Sequence, residues 1–258
     1  DLIIAVDPDA DRCALAGPDP ASETGWSPLS GDQIGSLLGE FLAERGMTGS
    51  LANSIVSSRL LSRIARAHGL EHHTTLTGFK WIARAPKLAF GYEEAIGFCP
   101  NPQIARDKDG IASSVVAASL FAALKVEGRT AWDELDRLAH AHGLHVTGPL
   151  TFRVEEIEQI ASGMARLRAQ PPSVLAGSPV VEVSDLSQGY RGLPPTDGVL
   201  VLTEAGDRVI ARPSGTEPKL KCYLEVILPV TEGEPLPWEQ AHERLDAIKG
   251  AFAEIIGL

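Results

Sequence analysis

Three aspartates stand at alternate positions in the run D-P-D-A-D-R: Asp7, Asp9 and Asp11, with Arg12 directly after them. In an extended loop, carboxylates spaced two apart can converge on one cation; without a cation they repel one another. Mg²⁺ suits such a trio, because it takes hard oxygen ligands, few of them carboxylates, and completes its shell with water and phosphate. A second constellation lies far along the chain, in R-P-S-G-T-E-P-K. Gly215 gives the tip conformational freedom, and backbone N–H groups around it can form an anion nest. Ser214 and Thr216 add hydroxyl donors, Arg212 a planar fork that matches phosphate, and Lys219 a point charge. Pro213 and Pro218 stiffen both shoulders.

Three weaker signals fall between them. T-G-F-K (77–80) and G-Y-E-E-A-I-G (91–97) each follow a run with strand character, the usual place for ligand groups in an α/β sheet. Lys80 can bind an anion, and Glu93 or Glu94 can accept hydrogen bonds from sugar hydroxyls. Lys108, in D-K-D-G, stands just ahead of a helical run; a helix N-terminus lowers a lysine pKa, which suits proton transfer. Each is also an ordinary surface residue type. His140, His142 and His145 lack an i, i+4 pairing with an acid, and His72 and His73 point to opposite faces of a strand, so neither group reads as a metal site.

The acids admit other readings. A solvated acidic turn is the plain one. An EF-hand needs Gly after the third acid and Glu at position twelve of the loop, where Arg12 and Pro18 stand. A phosphatase of the haloacid-dehalogenase type also closes a strand with D-x-D, usually with Thr or Val where Asp11 stands, and is the competing reading.

The elements that must carry these residues follow from periodicity. Residues 3–6 and 13–17 read as strands, and Ile34, Leu37, Leu38, Phe41 and Leu42 as a helical face with Asp32 near its N-cap. N-S-I-V-S-S reads as a strand, R-L-L-S-R-I-A-R-A-H-G as a helix ending at Gly69. H-H-T-T-L-T-G gives strand and turn, F-K-W-I-A-R-A a short helix, and 87–97 a strand running into a loop. Two further helices follow, one capped by Asp109 and stopped at Gly128, the other over A-W-D-E-L-D-R-L-A-H-A-H-G. This alternation predicts a layered α/β domain with a mixed sheet. From about residue 146 the chain is mostly strands until a closing helix with Trp238, Ala241, Leu245, Ile248, Phe252 and Ile255 on one face. That half reads as an α+β domain, a sheet with helices on one side.

The chain has 258 residues and a net charge of -11, which argues against nucleic-acid or anionic-membrane binding but leaves room for a local basic pocket. Its three cysteines, Cys13, Cys99 and Cys222, are widely spaced and read as free thiols of a reducing, cytoplasmic compartment. No apolar run approaches the roughly 18 residues of a membrane span.

In order, D-P-D-A-D-R, T-G-F-K, E-E-A-I-G, D-K-D-G and R-P-S-G-T-E-P-K resemble the α-D-phosphohexomutase superfamily, the phosphoglucomutases and phosphomannomutases, over essentially the whole chain. The resemblance implies a four-domain enzyme that passes a phosphoryl group between an enzyme phosphoserine and a hexose phosphate through a hexose 1,6-bisphosphate. By that likeness Asp7, Asp9 and Asp11 ligate Mg²⁺, Arg12 lies near the transferring phosphoryl group, and Lys108 is a general acid or base. Thr77, Gly78, Lys80, Glu93 and Glu94 face the sugar, while Arg212, Ser214, Gly215, Thr216 and Lys219 grip the phosphate that is not transferred. Two departures stand out. Ala95 replaces the family's usual Ser, as in a branch that includes hexose and pentose phosphomutases. The serine motif of the first domain is missing, since no Ser-His pair occurs in these residues. The expectation is a C-terminal fragment, inactive alone and partnered by its missing N-terminal half. It would hold a remnant of domain two (1–28) with an interior strand at Leu2–Val6, domain three (29–145) and domain four (146–258).

Overall fold

The structure, a computed structural model, describes residues 1–214 and 217–257. It divides into two units, Asp1–His142 and Gly143–Leu258.

The first unit opens with a three-stranded antiparallel sheet, β1 (Ile3–Val6), β2 (Cys13–Pro18) and β3 (Trp26–Pro28), in that order. The apolar run Leu2–Val6 reads as an interior strand separated from its sheet partners. Here β1 pairs with β2 alone and forms the sheet edge, with Ile3, Ile4 and Val6 exposed. β2 alternates instead: Cys13 and Leu15 are buried and join the core of this unit. The Trp132 indole N–H donates to Pro18 O at 3.0 Å, which fastens the end of β2.

Then come α1 (Gly31–Glu44), β4 (Ser50–Ser54), α2 (Leu60–Ala67), β5 (Glu71–Thr75) and the single turn α3 (Phe79–Ile82). β6 (Leu88–Glu93), β7 (Gly97–Cys99), α4 (Gly110–Val126) and α5 (Ala131–His142) complete the unit. The sheet order is β5-β4-β6-β7; β5, β4 and β6 run parallel and β7 is antiparallel. The expected mixed α/β sheet is therefore present. Its parallel strands end on one side, so the turns after Ser54, Thr75 and Glu93 gather at one sheet edge.

Local details depart from the sequence reading. Ser30, not Asp32, caps α1, and Gln33 returns the bond in a capping box. Asp32 lies in the first turn, buried. β4 ends at Ser54 rather than running to Ser58; Ser57 and Ser58 turn inward, buried, and bond to Glu94 and Asp32 instead of to a strand. The 93–97 segment is a tight hairpin into β7 rather than an open loop. Asp109 does cap α4, accepting from Ala112 N at 2.8 Å.

The second unit contains β8 (Leu144–Arg153), α6 (Ile157–Ala169), β9 (Val174–Leu175), β10 (Ser178–Asp185), β11 (Val199–Thr203), β12 (Arg208–Pro213), β13 (Lys219–Leu228) and α7 (Trp238–Ile256). Its strands form a six-stranded antiparallel sheet in the order β8-β13-β12-β11-β10-β9. Cys222, Leu224, Val226 and Leu228 of β13 are buried, and α7 packs there through Ala241, Leu245, Ile248 and Phe252. The last buried position is Ile256 rather than Ile255, one helical turn beyond Phe252. α6 was not anticipated; Ile160, Met164 and Leu167 give it a three-and-four stripe that packs beside α7. No single helix among the described residues is long and apolar enough to cross a membrane.

Candidate functional site

The acids sit in the connection between β1 and β2. Asp7 stands just past β1, and its carboxylate accepts from the Arg12 backbone N–H at 3.0 Å and from the Arg12 guanidinium at 3.3 Å. These bonds, the backbone one first, hold the Asp7 carboxyl below the ordinary carboxylate range. Ala10 turns the loop with a φ of 57°. Carboxylate oxygens of Asp7, Asp9 and Asp11 all lie within 4.8 Å of one another. Oxygens on opposite sides of an octahedral Mg²⁺ are about 4.2 Å apart, so the trio needs to close only slightly around the ion. Asp11 Oδ1 is buried and accepts no hydrogen bond, with the Arg12 guanidinium as a cationic neighbour 3.6 Å away, so it has acceptor capacity left for a cation. The donor set and this oxygen fit Mg²⁺.

Two neighbouring segments fix the loop. Gly110 N, the first N–H of α4, donates to Ala10 O at 3.0 Å. A Cβ at Gly110 would meet Arg12 O at 2.6 Å and Ala10 O at 2.7 Å, so the close approach requires glycine. On the other side Arg12 bridges to Gly97, and Cys13 N donates to Ile96 O at 3.1 Å. The acidic loop and the E-E-A-I-G hairpin are thus joined backbone to backbone.

Lys108 closes the cluster. Its ammonium lies 2.9 Å from Asp11 Oδ2 and 3.5 Å from Asp107, and 5.5 Å from the Phe79 ring centre. The stem runs across Gly97, where a Cβ would come within 2.5 Å of it and 3.1 Å of Glu93 Cγ. The expectation of a lowered Lys108 pKa is overturned. Burial pulls it down, but the Asp11 hydrogen bond and the charges of Asp107, Asp11 and Glu93 outweigh that and raise it. Glu93 moves the other way from a normal carboxyl: desolvation raises it, against the attraction of Lys108 and Arg12.

The paired glutamates divide. Glu93 faces Lys108, whereas the Glu94 carboxylate turns inward and accepts from Ser54 Oγ and Ser57 Oγ, each at 3.1 Å. Those serines are buried and 2.8 Å apart. Asp32 supports the same edge, accepting from Ser58 N at 2.7 Å and from the Tyr92 hydroxyl at 2.9 Å. Sequence reasoning missed Asp32, Ser54, Ser57 and Tyr92. The available signal was a cluster of small polar residues ending a strand, N-S-I-V-S-S, which is poor strand material.

The T-G-F-K turn enters the cluster through Phe79 rather than through Lys80. Thr77 and Gly78, half-buried, lead into α3, with Gly78 at a φ of 100°. Lys80 is exposed, its ammonium 5.9 Å from the Trp81 ring.

In the second unit, Arg212 and Pro213 end β12 and Lys219 opens β13, so R-P-S-G-T-E-P-K spans the two strand ends and their connection. Ser214 N donates to Lys219 O at 2.8 Å, and Glu217 N to Ser214 Oγ at 3.3 Å. The Lys219 ammonium is engaged by Glu217 at 2.7 Å. Arg212 pairs in register with Lys221. Gly215 and Thr216 lie outside the described residues.

Two family models match in tandem. One, described as phosphoglucomutase/phosphomannomutase alpha/beta/alpha domain III, matches residues 30–141; the other, phosphoglucomutase/phosphomannomutase C-terminal domain, matches 123–227. The chain belongs to the phosphoglucomutase/phosphomannomutase family. A Haemophilus influenzae protein named "Probable phosphomannomutase" is 41% identical over 227 residues, covering 87% of this chain and 46% of that protein. The phosphopentomutase of Mus musculus is 30% identical over 287 residues, covering 98% of this chain and 45% of its own length. The chain spans about half the length of the curated relatives it matches. Among solved structures, the Paramecium phosphoglucomutase pp63/parafusin superposes with a TM-score of 0.71 at 19% identity, over 98% of this chain and 44% of that one. With this family and the acids lying between two antiparallel strands, the haloacid-dehalogenase reading falls.

Proposed function

We propose that this chain is the metal-, sugar- and phosphate-binding part of a phosphohexomutase that moves a phosphoryl group between the 1- and 6-positions of a hexose. The observation that carries this is the meeting of Asp7, Asp9, Asp11, Arg12, Glu93 and Lys108 from three separated segments. In the family's terms residues 1–28 belong to domain two, 29–145 to domain three and 146–258 to domain four. Phosphomannomutase and phosphoglucomutase relatives match, which supports mannose or glucose phosphate as the hexose; the matching phosphopentomutases make a pentose phosphate the alternative substrate.

Asp7, Asp9 and Asp11 would hold Mg²⁺, which when bound supplies positive charge toward a transferring phosphoryl group. The chain's own residues do the rest. Arg12, fixed by its backbone bond to Asp7, presents a guanidinium beside the acids. Lys108, protonated by its acidic neighbours, is set to donate a proton or a hydrogen bond rather than to accept one. Glu93 is the acceptor for sugar hydroxyls, and Thr77, Gly78 and Lys80 extend the same sheet edge. Glu94, engaged by Ser54 and Ser57, holds the hairpin in place. Arg212, Ser214, Gly215, Thr216 and Lys219 form the phosphate loop. The phosphoserine that completes the cycle through a hexose 1,6-bisphosphate would come from residues outside these 258, and the chain alone is expected to be inactive. Three free, buried cysteines accord with a reducing, cytoplasmic setting.

Titration with glucose 1,6-bisphosphate and Mg²⁺, followed by backbone amide NMR, tests this. Shifts should concentrate at 7–12, 93–97, 108–110 and 212–219. Shifts elsewhere, or release of inorganic phosphate from the sugar, would overturn it.

A further inference from the structure

Arg153 ends β8 and is the register partner of Lys219 on β13. Two residues along β13, Lys221 faces Arg212 on β12. Directly paired residues of antiparallel strands project from one face, and i, i+2 positions share it. Arg153, Lys219, Lys221 and Arg212 therefore form a group of four cations on one face of the sheet, beside the 214–218 hairpin.

That arrangement is costly by itself. Like charges directly opposite one another destabilise a sheet, and two such pairs lie side by side here in a chain of net charge -11. Among the described residues only Glu217 offsets them, through Lys219. Its carboxyl is held low first by the Lys219 bond, with Arg153 and Lys221 adding their attraction. No described acid forms an ion pair with Arg153, Lys221 or Arg212. The placement is also fixed: Val154 N donates to Pro218 O at 3.1 Å, which ties the end of β8 to the second shoulder of the hairpin.

We propose that Arg153 is a further phosphate-binding residue, contributed to the 212–219 loop by the neighbouring strand, and that with Lys221 it suits the loop to a phosphate monoester dianion. A phosphate monoester carries about 1.5 to 2 negative charges near neutral pH. One of the loop's own cations, Lys219, is already spent on Glu217. Arg153 supplies a planar fork from the side, the geometry that pairs with two phosphate oxygens at once. The inference rests on reading 212–219 as the phosphate loop. The rival role is protection of the sheet: β8 is an edge strand, and charges along an edge discourage pairing with another chain.

The test is an amide NMR titration of the 258-residue chain with inorganic phosphate at low salt. Arg153→Gln should bind about fivefold more weakly and show a shallower salt dependence, with Arg153→Lys intermediate because charge without the fork is retained. Lys249→Gln, on the helix-covered face near Gly148, should bind as the parent does. If Arg212→Lys weakens binding and Arg153→Gln does not, Arg153 is an edge charge; the inference fails while the loop reading stands. If the parent shows no phosphate shifts at Arg212, Ser214 and Lys219, the loop reading fails and this inference with it.

Discussion

Lys108 Nζ lies 2.9 Å from Asp11 Oδ2, so the proposed proton donor and a proposed metal ligand are joined in one ion pair. The same lysine stem covers Gly97 and the same aspartate neighbours Arg12. Any cation entering the acidic loop competes with this ammonium for Asp11.

That competition gives a prediction with a definite sign. Lys108→Met removes the ammonium, frees Asp11 and relieves repulsion toward a divalent ion. A partly exposed pair contributes about 1 kcal/mol, so Mg²⁺ should bind roughly fivefold more tightly to this variant. Asp9→Ala should weaken binding by about tenfold, because one of three hard oxygen ligands is lost. Calorimetric Mg²⁺ titration measures both. Unchanged affinity in Lys108→Met would show that Asp11 does not take part.

Gly110→Ala should loosen the loop without touching an acid. The added Cβ would meet two backbone carbonyls, Arg12 O at 2.6 Å and Ala10 O at 2.7 Å, and backbone cannot swing aside as a side chain can. Overpacking of this kind costs about 1–3 kcal/mol. Thermal denaturation should show the loss, and Mg²⁺ affinity should fall in parallel. A variant that melts with the parent would mean the loop yields freely there.

His72 predicts part of the acid limb of stability. Burial, with the neighbouring His73 adding, lowers it from 6.5 to about 4. Its Nε2 lies 3.1 Å from Asn53 Oδ1 and so carries the proton of the neutral ring. A histidine whose folded pKa is depressed binds fewer protons folded than unfolded. Its stabilisation is therefore present above 6.5 and is lost as pH falls toward 4. The full shift corresponds to on the order of 3 kcal/mol. His72→Gln should flatten that limb in urea melts, and the His72 ring proton should titrate near 4 by NMR. A midpoint near 6.5 would refute the assignment.

The elements that sequence made legible are those with strong local signals. Asp109 caps α4 because a short side chain can reach Ala112 N, and the three-and-four stripe of α7 is a core face. The acidic trio was legible as a candidate site because three like charges at alternate positions of one short loop repel one another unless something offsets them. Less visible were features set by tertiary contact. Ser30 outcompetes Asp32 at the α1 cap because Gln33 returns its bond, while Asp32 is drawn inward by Ser58 and Tyr92. The β6–β7 hairpin needs Ile96 at a φ of 56°, a region β-branched residues seldom adopt, so E-E-A-I-G did not read as a turn. The rise in the Lys108 pKa was invisible because its cause, Asp11, lies 97 positions away in the chain.

Glu94 yields the prediction that separates its role from that of Glu93. Desolvation raises its carboxyl from the ordinary 4.5; bonds from its own backbone N–H, Ser54 and Ser57 oppose this, and the charge of Glu93 adds to the rise. A carboxyl whose folded pKa lies above its unfolded value binds more protons in the folded state between the two. Stability then falls as pH climbs from 4.5 through the folded value. Glu94→Gln keeps an acceptor for the serines and abolishes the titration. Its melting temperature should match or trail the parent near pH 4 and gain on it toward about pH 7. Ser54→Ala with Ser57→Ala does the opposite. It leaves the carboxylate in place without its donors, costing about 1–3 kcal/mol, or about 2–4 °C per kcal/mol in a chain of this size. That loss should be larger near neutral pH, where Glu94 is charged, than in acid. Sugar-phosphate binding should weaken far less in Glu94→Gln than in Glu93→Gln, because Glu94 is committed to the serines. Parallel melting profiles for parent and Glu94→Gln, or equal losses of binding in the two variants, would return Glu94 to the sugar.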